Sequence, residues 1–332
     1  MPRTIADLTE GTKVYVDETI DGAVVHEPYI YLGIDEDGNA RLLRATAALV
    51  KRMHPTNVAS YDGCEADVWL ENEVSGYLSR FDAETIDALR NTTIAYTDYN
   101  HSADGTVQLL TAARRCFLLS YTEEGWAATS AGNEGRSYLP ALKAYYLAEH
   151  PDVSTVSDNE ARIGRNSSGA AVGVWLRSGF SAANFRYVDS GGNAYSNYAS
   201  YAGYWLRPAL SVAAATSVSD EGADAIFLLP EGRRTYWGTE AVVPMGESQK
   251  RPKSAKLSID ASAGVYEKVY HVCNNLGDTE PTWVACADGG VCQLGEEKTG
   301  EKWELGVKIS VKASTAKDSV GEPALIVVTD EE

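Results

Sequence analysis

The sequence predicts a chain in two parts: a larger part that mixes strands and helices, and a smaller part built from strands alone. Apolar segments with both alternating and three-to-four spacing occupy residues 1–245. A polar run with a proline, at residues 246–255, is typical of a linker. Residues 256–332 hold evenly spaced alternating segments, which favour a small immunoglobulin-like β-sandwich domain. With 332 residues, 44% of them hydrophobic, the chain is long enough for two domains.

The first fifty residues predict short strands joined by tight turns. Apolar and β-branched residues dominate three segments, and Asp-Gly pairs, a common hairpin-turn signal, separate them. The predicted strands are Thr12–Val16, Val24–Leu32 and Ala40–Arg44, with turns at Asp21-Gly22 and Asp37-Gly38.

The segments up to residue 150 add helices and one buried strand. Helical spacing of apolar residues predicts the helices, and Asp82 is a suitable N-cap for a second helix within the longest of them. The predicted helices are one that begins in Ala47–Met53, one over Asp67–Leu89 and one over Tyr138–His150; the buried strand is Arg115–Tyr121.

The tripeptide Trp-Leu-Arg occurs twice, at residues 175–177 and 205–207. Each copy has the apolar alternation of a strand, and Pro208 would lie at a strand edge or exit. We expect Trp175 and Trp205 in the core. We expect Arg177 and Arg207 to be half buried, with their guanidinium groups bonded to loop carbonyls.

Between these copies, residues 181–201 are rich in Tyr, Ser, Asn, Ala and Gly, with a turn signal at Ser190–Asn193. Antibody combining loops have a similar composition, because Tyr provides rigid amphipathic contact area and the small polar residues provide hydrogen bonds. A polar surface loop with some packed tyrosines has the same composition.

Later segments predict further strands. Alternating residues indicate one strand before the linker and five after it. They are Ala225–Leu229, Lys256–Asp260, Val265–Val272, Thr282–Ala287, Trp303–Lys312 and Ala324–Thr329.

Charge and hydropathy exclude some partners. The net charge of −18 argues against nucleic acid, which requires a basic patch, and against an anionic membrane surface. The first residues hold no apolar signal-peptide core, and no segment reaches the roughly 18 apolar residues of a membrane span. We therefore expect synthesis in the cytoplasm without membrane insertion.

Catalytic and metal motifs are weak. Cys64 and Cys116 suit buried positions, and neighbouring acids such as Glu123-Glu124 and Glu296-Glu297 suit a solvated face. We expect no cofactor and no enzymatic activity. One group of residues in the last domain could form either a zinc site or, in part, a Cys286–Cys292 disulfide. These are His271, Cys273, Cys286 and Cys292.

An ordered set of short motifs between about residues 10 and 215 resembles a family of domains with a C-type lectin-like fold, common in bacteriophages and gut bacteria. The motifs are Tyr61, Trp69-Leu70, Ile94–Tyr96, Phe117–Ser120 followed by Glu123, Arg162-Ile163, Trp175–Ser178 and Arg207–Leu210. The closing region lacks the cysteines of the formylglycine-generating enzymes, which share this fold. The resemblance implies an α+β, C-type lectin-like domain, and the all-β unit after it is similar to adhesion modules of phage structural proteins.

The resemblance also implies a function. The protein would be a virion component on a tail or capsid, a homo-oligomer that contacts other virion proteins and a host-surface protein or glycan. Residues 181–201 would be the ligand-binding loop, with a composition and position like those of the variable segments of diversity-generating retroelements. The expected contacts are Asn184, Arg186, Tyr187, Asp189, Asn193, Tyr195, Asn197, Tyr198 and Tyr201. The alternatives are a purely architectural virion protein and an enzyme that acts on the cell wall or on polysaccharides.

Overall fold

A computed structural model describes residues 4–101 and 105–218, and the backbone of the strands between residues 226 and 331. The chain divides into two compact units, one of residues 4–216 and one that begins at Ser217.

The first unit is rich in strands and has four short α-helices in its described residues. Its strands are β1 (Lys13–Ile20), β2 (Ala23–Ile34), β3 (Asn39–Arg44), β4 (Leu49–Val50), β5 (Thr92–Asp98), β6 (Gln108–Arg114), β7 (Cys116–Leu118), β8 (Gly164–Arg165), β9 (Ala171–Val172), β10 (Val174–Gly179), β11 (Asn184–Val188), β12 (Ala194–Tyr198), β13 (Trp205–Leu206) and β14 (Pro208–Ala213). Its helices are α1 (Glu65–Leu70), α2 (Ala83–Ala88), α3 (Leu139–Glu149) and α4 (Asp158–Arg162). Two 3-10 turns are at Ile5–Asp7 and Leu78–Arg80.

Two sheets organise this unit. One has the antiparallel order β1-β2-β3-β14-β7. The other has the order β12-β11-β10-β13-β4, antiparallel except for the β10–β13 pair. The pairs β5–β6 and β8–β9 form two-stranded ribbons. This arrangement is compatible with the α+β class.

The N-terminal strands and their turns are confirmed. Ile20 pairs with Ala23, so Asp21 and Gly22 form a two-residue hairpin loop, with φ angles of 52° and 81°. Both central residues of a type I′ turn need positive φ, which explains the Asp-Gly pair.

The prediction of a helix over Asp67–Leu89 is wrong, because α1 ends at Leu70. The Asn72 side chain accepts hydrogen bonds from the next turn, and the Tyr77 N–H then bonds the Trp69 carbonyl, so the chain folds back. Asp82 caps α2 through a 2.8 Å bond from the Thr85 N–H, as predicted.

The helix predicted to begin in Ala47–Met53 is also absent. Leu49 and Val50 instead form β4, which pairs with the second Trp-Leu-Arg copy at Leu206 and Trp205. Tertiary strand pairing thus overrides the local apolar pattern. The α3 helix, by contrast, lies within the predicted Tyr138–His150 segment.

The two tryptophan strands belong to one sheet. Val174 in β10 pairs in parallel with Trp205 in β13, and Pro208 is the first residue of β14, which lies between β3 and β7 in the first sheet. Trp175 is 1% exposed, as expected of a core residue, whereas Trp205 is only partly buried. A core cluster of Ala47, Val174, Leu176 and Val188 lies on the opposite face from Trp175.

The described strands of the second unit include two four-stranded antiparallel sheets. The strands are β15 (Ser217–Val218), β16 (Ile226–Leu229), β17 (Arg233–Gly238), β18 (Glu240–Pro244), β19 (Ser254–Asp260), β20 (Glu267–Cys273), β21 (Val284–Ala285), β22 (Val291–Gln293), β23 (Lys308–Ser314) and β24 (Ala324–Glu331). The sheets have the orders β17-β24-β19-β22 and β18-β23-β20-β21. Every predicted strand of this region overlaps one of these elements.

The division between the units falls earlier than the predicted boundary at residue 245. Strands β17 and β18 precede that boundary but pair with β24 and β23, in the last part of the chain. The boundary depends on pairing between strands far apart in the chain. The polar composition of residues 246–255 therefore did not indicate where the units divide. Most of the predicted linker lies outside the described residues, and its last two residues belong to β19.

Candidate functional site

The tyrosine-rich segment predicted as a loop is largely a β-hairpin. Strands β11 and β12 pair without a register shift, from Asn184 opposite Tyr198 to Val188 opposite Ala194. The predicted turn at Ser190–Asn193 is confirmed. The segment is therefore an outer two-stranded ribbon of the second sheet.

The turn of the hairpin is anchored at both ends. The Asp189 carboxylate accepts hydrogen bonds from the backbone N–H groups of Gly191 and Asn193, at 2.9 and 2.8 Å. Gly192 has a φ of +79°, and a Cβ there would lie 1.9 Å from the Asn159 carbonyl oxygen in α4. The Asn159 amide also donates to the Asn193 side chain. Close contact with α4 thus fixes the tip, and only glycine fits at residue 192.

An aromatic stack supports one face of the hairpin. The rings of Tyr187 and Tyr204 stack with centroids 4.0 Å apart, and Trp175 meets both edge-on, at 6.0 and 4.9 Å. Tyr195 lies across the strand pair from Tyr187, and Tyr201 packs on Tyr204 at 4.8 Å. Burial and the neighbouring Tyr204 hydroxyl raise the pKa of Tyr187. The tyrosines thus form one packed layer on a buried tryptophan.

Three tyrosines project into solvent from this hairpin and its exit. Tyr195, Tyr198 and Tyr201 are 54%, 56% and 45% exposed. Because side chains alternate along a strand, Tyr195 and Tyr198 lie on opposite faces of β12. A ligand that contacts both tyrosines must therefore reach across the edge of the sheet.

Arg186 lies on the face away from Tyr195. Its guanidinium carbon is 4.0 Å from the centre of the Tyr121 ring and 4.9 Å from that of Phe180. The half-buried Arg186 guanidinium thus packs against two aromatic rings, which favours a role in supporting this face of the hairpin.

The structure places the nine expected contacts on two faces of the hairpin, in its turn and just after it. The aromatic face carries Tyr187, Tyr195 and Asn197, and the opposite face carries Asn184, Arg186 and Tyr198. The turn holds Asp189 and Asn193, and Tyr201 follows β12. The polar groups of the two turn residues bond within the fold. Tyr204 and Phe180 were not among the predicted contacts; the recurring tyrosine spacing that ends at Tyr204 was the available signal.

The two motif arginines are buried more deeply than expected. Arg177 has no exposed surface; it donates to the carbonyl oxygens of Ala95, Leu118 and Glu134, and it pairs with Glu123. Arg207 is 6% exposed and donates to the Arg44 carbonyl oxygen, and its burial lowers its pKa. The predicted bonds to carbonyl oxygens are confirmed, but only Glu134 lies in a loop, and the other acceptors belong to strands. The predicted half-buried placement is wrong.

The predicted solvated face at Glu123-Glu124 is also wrong, because both side chains are buried. Burial acts to raise the pKa of Glu123, but the charges of Arg177 and Arg41 outweigh it, so this pKa lies below its usual value. Glu124 has weaker compensation: desolvation raises its pKa to about 7. One Glu124 oxygen and one Arg207 nitrogen are buried without a hydrogen-bond partner among the described residues.

Cys64 and Cys116 are free and buried, as predicted. No group of three or more His, Cys, Asp or Glu side chains suited to a metal occurs in the described part of the chain. The His271, Cys273 and Cys292 side chains, together with Cys286 and the acids Glu296-Glu297, lie outside the described residues.

The hairpin and its supporting elements fall within a matched family region. The model of the family described as Domain of unknown function (DUF6273) matches residues 37–214, more than half of the chain. The chain belongs to the DUF6273 family. The DUF6273 region contains β3, β14 and the whole second sheet, including the hairpin.

Comparison with curated proteins gave no match to the DUF6273 chain, and comparison with solved structures gave none either. No helix within the described residues is long and apolar enough to span a bilayer.

Proposed function

We propose that this chain is a non-enzymatic binding protein of a bacteriophage virion. It is displayed on a tail or capsid, and its first unit, a C-type lectin-like domain, contacts a host-surface protein or glycan. The observation that carries this proposal is the exposure of Tyr195, Tyr198 and Tyr201 on a hairpin whose inner layer is packed on Trp175.

The physical argument concerns entropy. A tyrosine side chain has few rotatable bonds and combines an aromatic face with a hydroxyl, so it gives a large contact area at low entropic cost. The hairpin is already held by the ring stack and by α4, so binding need not order it. A preorganised aromatic patch of this kind is suited to recognition.

We further propose that residues 181–201 are the variable segment of a diversity-generating retroelement. The geometry favours substitution at Tyr195, Tyr198 and Tyr201, whose side chains point into solvent, and disfavours it at Phe185 and Gly192, which are buried. A near-identical copy of these codons beside a reverse transcriptase gene would support variation. Sister sequences with an invariant segment, and no such copy, would contradict it.

Binding can be tested with the labelled full chain on a panel of gut bacterial strains, read by flow cytometry. We expect the wild-type chain to label some strains, and the triple variant Y195A/Y198A/Y201A to lose at least tenfold in apparent affinity while it still unfolds in a cooperative thermal transition. The matched control is Tyr15→Ala, a tyrosine of β1 in the other sheet. Equal labelling by the triple variant would overturn the proposed surface.

The architectural alternative makes a different prediction. If the tyrosines pack against a neighbouring subunit, a map of the assembled particle will show them covered, and the triple variant will block assembly rather than cell labelling. Turnover of purified peptidoglycan or polysaccharide would instead reveal an enzyme.

A further inference from the structure

Strand β12 lies at the end of the second sheet, and its outer edge is distinct from the side chains of the tyrosine face. In an antiparallel pair the N–H and C=O groups of one residue point to the same side. Bonds between Asp189 and Asn193, and between Ala183 and Ala199, fix the phase of the β11–β12 ladder. Tyr195 and Asn197 therefore bond to β11, and the backbone groups of Ala194, Ser196 and Tyr198 point outward.

Tyr198 is already capped. Its N–H donates to the Asn197 side chain at 2.8 Å, and its carbonyl accepts from the Tyr201 N–H at 2.9 Å. Ala194 and Ser196 have no hydrogen bond on the outward side within the described residues. Two N–H and two C=O groups thus form an open edge, with spacing suited to one added strand.

This edge lacks the features that usually prevent strand addition. Exposed edges are commonly protected by proline, by charged side chains or by a bulge. The β12 sequence Ala-Tyr-Ser-Asn-Tyr has no proline or charge, and its pairing has no register shift. Tyr195 and Tyr198, exposed on opposite faces, would flank the side chains of an added strand.

We infer that β12 binds an extended segment of a partner protein by strand addition. This inference rests on the proposed function and chooses a protein partner over a glycan, because four main-chain groups in a row match a peptide backbone. The charge of −18 favours a neutral or basic segment and disfavours a second copy of this acidic chain.

Proline at residue 196 tests the edge directly. Because the Ser196 N–H points outward, Ser196→Pro removes that donor without removing a β11–β12 bond. Ser196→Ala keeps the N–H and is the matched control. The probe is a bead library of random nine-residue peptides, selected with the wild-type full chain and titrated by fluorescence anisotropy.

We expect selected peptides to lose at least tenfold in affinity for Ser196→Pro and less than twofold for Ser196→Ala. N-methylation of alternate peptide residues should also weaken binding to the wild-type chain, which tests main-chain recognition even if the proline variant misfolds. Strand addition would be overturned if no peptide is selected, or if the loss of affinity on N-methylation does not alternate along the peptide.

Other outcomes separate this inference from the proposed function. One such outcome is that binding to peptides or to a glycan array is lost in Tyr195→Ala and Tyr198→Ala but kept in Ser196→Pro. That result would overturn strand addition at the β12 edge and would leave the proposed tyrosine surface standing. If sedimentation shows that the wild-type chain is a dimer and that Ser196→Pro is not, the edge binds a second copy of this chain, and the inference of a different partner protein is wrong. Insensitivity to all of these changes would overturn both proposals.

Discussion

Glu123 and Arg177 form an ion pair in which neither side chain is exposed to solvent. The other Glu123 oxygen accepts from Arg41 at 2.5 Å. Arg41 belongs to β3 in the first sheet and Arg177 to β10 in the second, so one carboxylate links the two sheets. This link holds the sheet that carries the tyrosine hairpin.

Removal of this carboxylate is expected to destabilise the first unit strongly. Glu123→Ala leaves the buried Arg177 guanidinium without its counter-charge and leaves Arg41 with Asp35 alone, and breaking a buried pair in this way typically costs about 3–5 kcal/mol. Urea unfolding followed by tryptophan fluorescence measures the loss. The control is Glu65→Ala, whose half-exposed pairs with Lys51 and Arg52 are worth about 1 kcal/mol or less. Similar losses in both variants would contradict the central role of Glu123.

The raised pKa of Glu124 predicts that the stability of the first unit depends on pH. Its folded pKa of about 7 lies above its usual 4.5, so the folded state binds the proton more tightly. Its contribution to stability is therefore full below pH 4.5 and is lost as the pH rises through 7. We expect the stability of Glu124→Gln relative to the wild type to rise by roughly 3 kcal/mol between pH 4.5 and 8. A difference that does not change with pH would contradict this assignment.

A pair of glycines separates steric contact from backbone strain. Gly192 and Gly38 share a φ of +79°, but only at Gly192 would a Cβ meet the backbone of α4; at Gly38 nothing lies within 4 Å. Gly38→Ala should cost about 1 kcal/mol from the left-handed conformation alone. Gly192→Ala should cost more and increase amide exchange in the hairpin. Equal costs and unchanged exchange would show that α4 does not fix the tip.

The buried thiols should be unreactive in the folded chain. Burial raises the pKa of Cys64 to about 12 and also raises that of Cys116. In a variant with serine at residues 273, 286 and 292, we expect negligible reaction with Ellman's reagent until urea unfolds the chain, when both thiols react. Rapid labelling of either thiol in buffer would contradict their burial.

Elements defined by neighbouring residues were predicted well. The Asp21-Gly22 turn, the Asp82 cap and the α3 helix depend on interactions within about four positions, which composition and spacing record directly. The turn at Ser190–Asn193 belongs to the same class. The predicted helix over Asp67–Leu89 is wrong in its first part, because a hydrogen bond between the Tyr77 N–H and the Trp69 carbonyl turns the chain back well before Asp82.

The sequence by itself determined the first three strands and their Asp-Gly turns, that the motif tryptophans occur in strands, and that a tyrosine-rich segment lies between them. Only the tertiary structure decided that this segment is a hairpin with two faces and an open edge, that Glu123 is buried, and that the units divide at Ser217. These features depend on pairings between residues far apart, such as Glu123 with Arg177 across 54 positions. An alternating pattern shows that a strand has two faces, but its partner is selected by packing and charge compensation across the whole fold.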